Sequence, residues 1–141
     1  MPAPIKIRSF LPQDEAGTIA LWEVVFPGEA PWNNPVDVIA RKQTVQPELF
    51  FVAVAGDDVI GTVMAGFDGV RGWVHHLAVA PAFRRSGLAT ELMRCAEQGL
   101  KAMGCAKLNL QVRATNLEVI DFYRSLGFEV EDRASLGKPL V

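Results

Sequence analysis

The stretch Leu77-Ala78-Val79-Ala80-Pro81-Ala82-Phe83-Arg84-Arg85-Ser86-Gly87-Leu88-Ala89-Thr90 constrains the fold more than any other part of the chain. An apolar strand runs into Pro81, a short basic turn follows, and an amphipathic helix opens at Gly87. The first turn of a helix leaves several backbone N–H groups without partners, beside the positive end of the helix dipole. Such an arrangement holds a diphosphate with no special side chain. Glycine at position 87 removes a Cβ that would keep phosphate oxygens off the amides, and Ala89 does the same more weakly. Arg84 and Arg85 add positive charge at the rim. Spacing alone equally allows a solvated turn with Ser86 as a helix cap. The Walker pattern GxxxxGK[ST] and the dinucleotide pattern GxGxxG are both absent.

Around this stretch the chain alternates strand and helix signals. Residues 5–10 alternate apolar and polar, the period of a strand. Pro12, Asp14 and Glu15 open a helix whose apolar face is read as Ala16, Ile19, Ala20 and Val24. Pro27-Gly28 ends it, and a loop through Pro31-Trp32-Asn33-Asn34-Pro35 leads to a second helix over residues 36–45. Three strands are expected next, at 49–55, 59–67 and 73–79, joined by Gly-Asp-rich turns into an antiparallel meander. The helix from Gly87 carries Leu88, Leu92, Ala96, Leu100 and Met103 on one face and stops at Gly104. Residues 107–112 read as a strand. Thr115 with Glu118 three residues on is a capping-box signal for a helix carrying Val119, Phe122, Tyr123 and Leu126. Two short strands are expected at 128–130 and 134–140. The order β-α-α-β-β-β-α-β-α-β-β predicts an α/β fold with a mixed, mostly antiparallel sheet flanked by helices. The β-α-β crossover from Trp73 through Val112 should be right-handed.

No repeat or linker interrupts this order, so the 141 residues are expected to form a single domain. A net charge of −2 leaves no electrostatic footprint for nucleic acid. No segment approaches the roughly 20 apolar residues of a membrane span, and the first residues lack a signal-peptide core. The two cysteines, Cys95 and Cys105, show neither a disulfide framework nor metal-ligand spacing. A cytoplasmic protein with free thiols and no bound metal is expected. Monomer and homodimer both remain open, since edge strands can pair between subunits.

The pattern Arg84-x-x-Gly87-x-Ala89, preceded by Leu77-x-Val79-x-Pro81, resembles the acetyl-CoA signature of the GNAT superfamily of N-acetyltransferases. Asn116 followed by Phe122-Tyr123-Arg124-Ser125-Leu126-Gly127-Phe128 resembles its second landmark, and the element order matches over nearly the whole chain. The ending Ser135 to Lys138 and the Pro-Trp-Asn loop are similar to those of small bacterial members. The resemblance implies the GNAT fold and acetyl transfer from acetyl-CoA to a primary amine by direct attack in a ternary complex. It also implies a cofactor arm pairing with the backbone of Leu77, Ala78 and Val79, and a pyrophosphate on the amides of Arg85, Ser86, Gly87, Leu88, Ala89 and Thr90. Asn116 would contact the cofactor arm, and Tyr123 would protonate the leaving thiolate. A non-catalytic acyl-CoA-binding or sensing module on the same fold is the alternative.

The acceptor and the base are less determined. A lysine amine is neutral in only about one molecule in 2,500 at pH 7, a cost of about 4.6 kcal/mol, against about 1 to 1.4 kcal/mol for an α-amine. His75 and His76 are base candidates, with strand alternation expected to send one to each face of the sheet. Glu48 and Glu118 are weaker ones. Trp32 and Asn33 lie in the loop that the resemblance assigns to the acceptor side. A small amine, an amino-acid-like metabolite and a peptide N-terminus all remain possible acceptors.

Overall fold

The alternating stretches assemble into a five-stranded sheet in sequential order. A computed structural model describes residues 3–140. Its contacts divide the chain into two units, Met1–Leu110 and Gln111–Val141. In the first unit, β1 (Ile5–Ser9), β2 (Phe50–Ala55), β3 (Asp58–Phe67) and β4 (Gly72–Val79) are antiparallel, and β5 (Leu108–Asn109) joins β4 in parallel. Three helices complete this unit: α1 (Glu15–Val25), α2 (Pro35–Lys42) and α3 (Leu88–Ala102). A mixed, mostly antiparallel sheet flanked by helices is the architecture that the sequence predicts.

The continuous apolar run of β2 has a physical reason, since the strand is covered on both sides. Phe50, Val52 and Val54 join the core shared with α1 and α2, where Trp22, Val38 and Ile39 also lie. Phe51 and Ala53 face α3: Gly99 of that helix rests beside Phe51, and Gly61 on β3 meets Leu92 and Ala53. The α3 stripe is buried at Leu88, Leu92, Ala96 and Leu100, whereas Met103 at its end is exposed. Entry into α1 is fixed by Arg8 on β1, which donates to both carboxylate oxygens of Asp14 at 2.7 and 3.0 Å. Asp14 also accepts the Leu11 amide.

Helix α1 departs from the expected face. Thr18, Leu21 and Trp22 are buried, while Ala16, Ala20 and Val24 face outward. The helical period is right, but the larger side chains set its phase, because burying Trp and Leu removes far more apolar area from water than burying two alanines. Helix α2 starts at Pro35 because Asn34 caps it, its side chain accepting the amides of Val36 and Asp37.

In the second unit, α4 (Leu117–Ser125) is capped by Asn116, whose side chain accepts the Val119 amide at 3.4 Å. The expected Thr115 cap is therefore one residue early. Strand β5 covers two residues rather than the predicted 107–112, and no strand forms at 128–130 or 134–140. A strand needs a neighbouring ladder to satisfy its backbone, and no ladder includes these residues. Their apolar side chains Val130, Leu136 and Leu140 are exposed, so alternation there has no face to bury.

Candidate active site

Strand β4 carries the first part of the site. Its pairing with β5 is confined to Gly72–Leu108 and Trp73–Asn109, so the rest of that edge is open. The Ala80 amide donates to Ile60 on β3 at 2.8 Å. Strand alternation therefore turns the amides of Val79 and Leu77 toward the open edge. Ala78, between them, is buried in the sheet.

The turn after β4 continues this row of donors. Among the described residues, the amides of Arg85 to Thr90 donate to no backbone carbonyl, and Gly87 makes no side-chain cap for α3. Arg85 (φ 62°) and Gly87 (φ 81°) both adopt left-handed backbone, which curls successive N–H groups into a concavity suited to an anion. A Cβ on Gly87 would meet nothing within 4 Å, so the space beside the helix start is open. Ser86 does not cap the helix; its hydroxyl donates backward to the Phe83 carbonyl. Arg84 and Arg85 are exposed at the rim. The backbone of this turn fits a diphosphate-bearing cofactor such as acetyl-CoA.

His76 is the second focus. The β3–β4 register slips between Thr62 and Met64, placing an extra residue on β4, and His76 takes a left-handed φ of 52°. For a non-glycine residue this costs about 1–3 kcal/mol and persists only where neighbours enforce it. They do so here: the Trp22 indole N–H donates to Thr62 Oγ1 at 2.9 Å, and the Thr62 hydroxyl donates to the His76 carbonyl at 2.8 Å. Trp22 and Thr62 are both buried. The His76 ring lies 4.4 Å from the Trp22 ring and 5.5 Å, edge-on, from that of Phe26. Its Nδ1 is buried without a hydrogen-bond partner. Burial, and next the neighbouring His75, push the His76 pKa below its ordinary value of 6.5, with Glu29 partly opposing them.

The bulge overturns the expectation that the two histidines lie on opposite faces. His75 is paired with Met64, a member of the α1/α2 core, so it shares that face with His76. It is the more exposed of the two. Partial withdrawal of its ring from water, and then the charge of Lys42, lower its pKa. Lys42 is itself buried, its ammonium donating to the Ala65 carbonyl, and burial lowers its pKa against the opposing charge of Glu48.

Beside His76 opens a cavity of about 430 Å³. Its walls are the end of α1 (Trp22, Glu23, Phe26), the loop residues 27–31 and 33–35, and His76. Asn33 lines it and donates to Glu29 at 2.9 Å. Trp32 does not line it; that side chain is half exposed, and its carbonyl accepts from Arg41. His75 is not in the wall either. Trp22, Glu23, Phe26 and Glu29 are additions that the sequence reading missed. The signal available for Trp22 and Phe26 was their size on a helix with mixed apolar positions.

Within the second unit, Tyr123 is buried and its ring packs against Phe122 and Phe128 at 5.1 and 5.5 Å. Burial pushes its pKa up to about 12, so the hydroxyl keeps its proton at neutral pH. Asn116 is exposed and serves as the cap of α4. Glu118 is exposed on the same first turn. Cys95 and Cys105 are free thiols, and no described helix is long and apolar enough to cross a membrane.

Comparison with known proteins identifies the family. A family model described as the acetyltransferase (GNAT) family matches residues 17–128. A Yersinia enterocolitica protein named acetyltransferase is 42% identical over 137 residues, covering 97% of this chain and 96% of the relative. A Pectobacterium atrosepticum protein of the same name is 41% identical over the same length and shares. Among solved structures, the aminoglycoside N-acetyltransferase AAC(6')-Iy, bound to a CoA bisubstrate analogue, matches with a TM-score of 0.81 at 18% identity, covering 99% of this chain and 100% of that one. Ard1 from Thermoplasma volcanium matches with a TM-score of 0.77 at 23% identity, covering 90% of this chain and 84% of the other. At these identities the solved structures show a shared fold. The family match and the sequence relatives place the chain among acetyltransferases: it belongs to the acetyltransferase (GNAT) family.

Proposed function

We propose that this protein transfers the acetyl group of acetyl-CoA to a primary amine by direct attack within a ternary complex. The observation that carries this reading is the row of unpaired backbone donors running from the open edge of β4 into the first turn of α3. A diphosphate on the amides of Arg85 to Thr90 would leave the cofactor arm to run along Val79 and Leu77 toward the bulge at His76. The thioester then meets the cavity at His76, on the side where an acceptor can enter. Family membership through residues 17–128 supports reading the whole chain as one acetyltransferase domain. Two free cysteines support a cytoplasmic setting.

The chemistry follows from the groups assigned. His76, whose lowered pKa keeps it neutral near pH 7, takes a proton from the acceptor ammonium, directly or through a water. The freed nitrogen lone pair attacks the thioester carbonyl, the tetrahedral intermediate collapses with cleavage of the C–S bond, and the nitrogen loses its second proton to solvent. The family resemblance assigns Tyr123 to donate a hydrogen bond or a proton to the departing thiolate. With a hydroxyl pKa of about 12 against a thiol near 8.5, full transfer is uphill by about 5 kcal/mol, so stabilising the anion until solvent protonates it is the stronger role. His75, outside the cavity wall, is the weaker base.

Replacing Tyr123 by Phe tests the reading. Acetyl-CoA consumption over a panel of amines and short peptides should fall about a hundredfold in kcat, with acetyl-CoA affinity unchanged. Tight acetyl-CoA binding with no amine acetylated by the unaltered protein would favour a non-catalytic acyl-CoA sensor instead.

A further inference from the structure

The cavity beside His76 has an electrostatic character that bears on which amine it takes. Its walls carry two carboxylates, Glu23 and Glu29, and no lysine or arginine. His76 adds no positive charge near neutral pH, because burial holds its pKa down. No cationic side chain in the wall is free to meet an anion, and some of its neutral donors are taken. Asn33 gives its amide N–H to Glu29, and the first amides of α2 are taken by the side chain of Asn34. Trp22 and Phe26 pack against the His76 ring, and Pro27, Pro31 and Pro35 add further apolar wall.

An acceptor carrying a carboxylate beside its amine would bring a third negative charge among two others, with no cation to meet it. Glu23 and Glu29 are both exposed, so solvent screens this repulsion, but with no cation in the wall to offset it the balance is against such a ligand. A flexible alkyl chain with an ammonium at each end finds the opposite: carboxylates for the distal charge, aromatic faces that attract cations, and apolar walls for the methylenes. The volume of about 430 Å³ lies within the range of small-molecule sites, about 300–1,000 Å³, so there is room for both ends of such a chain.

Resting on the reading of this cavity as the acceptor site, we infer that the acceptor is a small alkyl amine with a second cationic group and no carboxylate, selected by Glu23 and Glu29. One ammonium is anchored at the carboxylates while the other, deprotonated near His76, is acetylated.

Calorimetric titration of the full chain, with and without CoA, tests this with cadaverine and lysine, which differ only by the carboxylate. Cadaverine should bind at least about tenfold more tightly than lysine or than a short peptide amide. The Glu23→Gln, Glu29→Gln double variant should lose about tenfold of cadaverine binding while its melting temperature stays near that of the parent. Absence of cadaverine binding, equal or tighter binding of lysine or the peptide amide, or an indifferent double variant each overturn the inference. Acetyl-CoA consumption measured alongside separates the two proposals. Selective cadaverine binding without turnover of any amine removes the transferase reading, and with it the acceptor role, while the selection of a dication by Glu23 and Glu29 stands. Turnover with lysine but not cadaverine does the reverse.

Discussion

The two halves of the candidate site are built in different ways. The turn from Ala80 to Thr90 is exposed and made of backbone: left-handed Arg85 and Gly87 and a helix start without a cap. The wall at His76 is made of side chains from three elements, Trp22 on α1, Thr62 on β3 and His76 on β4, joined by two hydrogen bonds. A backbone site tolerates change in most side chains and fails where a side chain intrudes. A wall of buried, mutually bonded side chains fails wherever a member is removed. The difference teaches which variants should damage stability, chemistry and cofactor binding separately.

The largest effect is expected at the wall. Trp22→Ala removes a fully buried ring and leaves Thr62 and His76 without their support. It should cost about 3–5 kcal/mol in urea unfolding. A loss below about 1 kcal/mol would show that the bulge is held by something other than this network.

His76→Gln should come next, lowering kcat about a hundredfold while sparing acetyl-CoA affinity. The same residue gives a pH signature. Its folded pKa lies below the ordinary value of 6.5, so in that window the unfolded chain holds more protons than the folded one. Stability is therefore full above pH 6.5 and falls as the pH drops through the window. His75 contributes in the same direction, with the charge of Lys42 facing it, so the variant should reduce the slope of melting temperature against pH without abolishing it. An unchanged slope would remove His76 from this account.

At the turn the effects should be smaller and confined to the cofactor. Gly87→Val forces a β-branched residue to a positive φ and fills the space beside the amides, and should weaken CoA binding about tenfold in calorimetry. Arg84→Ala, at the exposed rim, should weaken it only about two- to threefold, the worth of a screened surface charge. If Arg84→Ala proves the more damaging of the two, the turn binds through its side chains and the contrast with the wall disappears.

Particular elements show why some of this was legible in the sequence. The α3 stripe from Leu88 to Leu100 and the three-strand meander follow local periodicity, and both are found where the pattern puts them. The α1 face was misphased because periodicity fixes spacing and not rotation, which Trp22 and Leu21 settle through burial against the sheet. The two histidines were sent to opposite faces because strict alternation has no room for a bulge. The expected strands at 128–130 and 134–140 failed for the same reason that strands often mislead: their partner lies elsewhere in the chain, and alternation alone does not supply one.

The sequence by itself determined the strand–turn–helix unit at Leu77 to Thr90 and the membership that goes with it. That unit needs only a proline stop, a glycine free of Cβ and an amphipathic stripe, all carried within fourteen consecutive residues. Only the tertiary structure decided that β4 bulges at His76, that Trp22 and Thr62 hold it there, and that Glu23 and Glu29 share a cavity with it. Those residues lie up to 54 positions apart, from 22 to 76. Their meeting depends on how the sheet packs against α1 and on the loop that follows that helix, which no local pattern encodes.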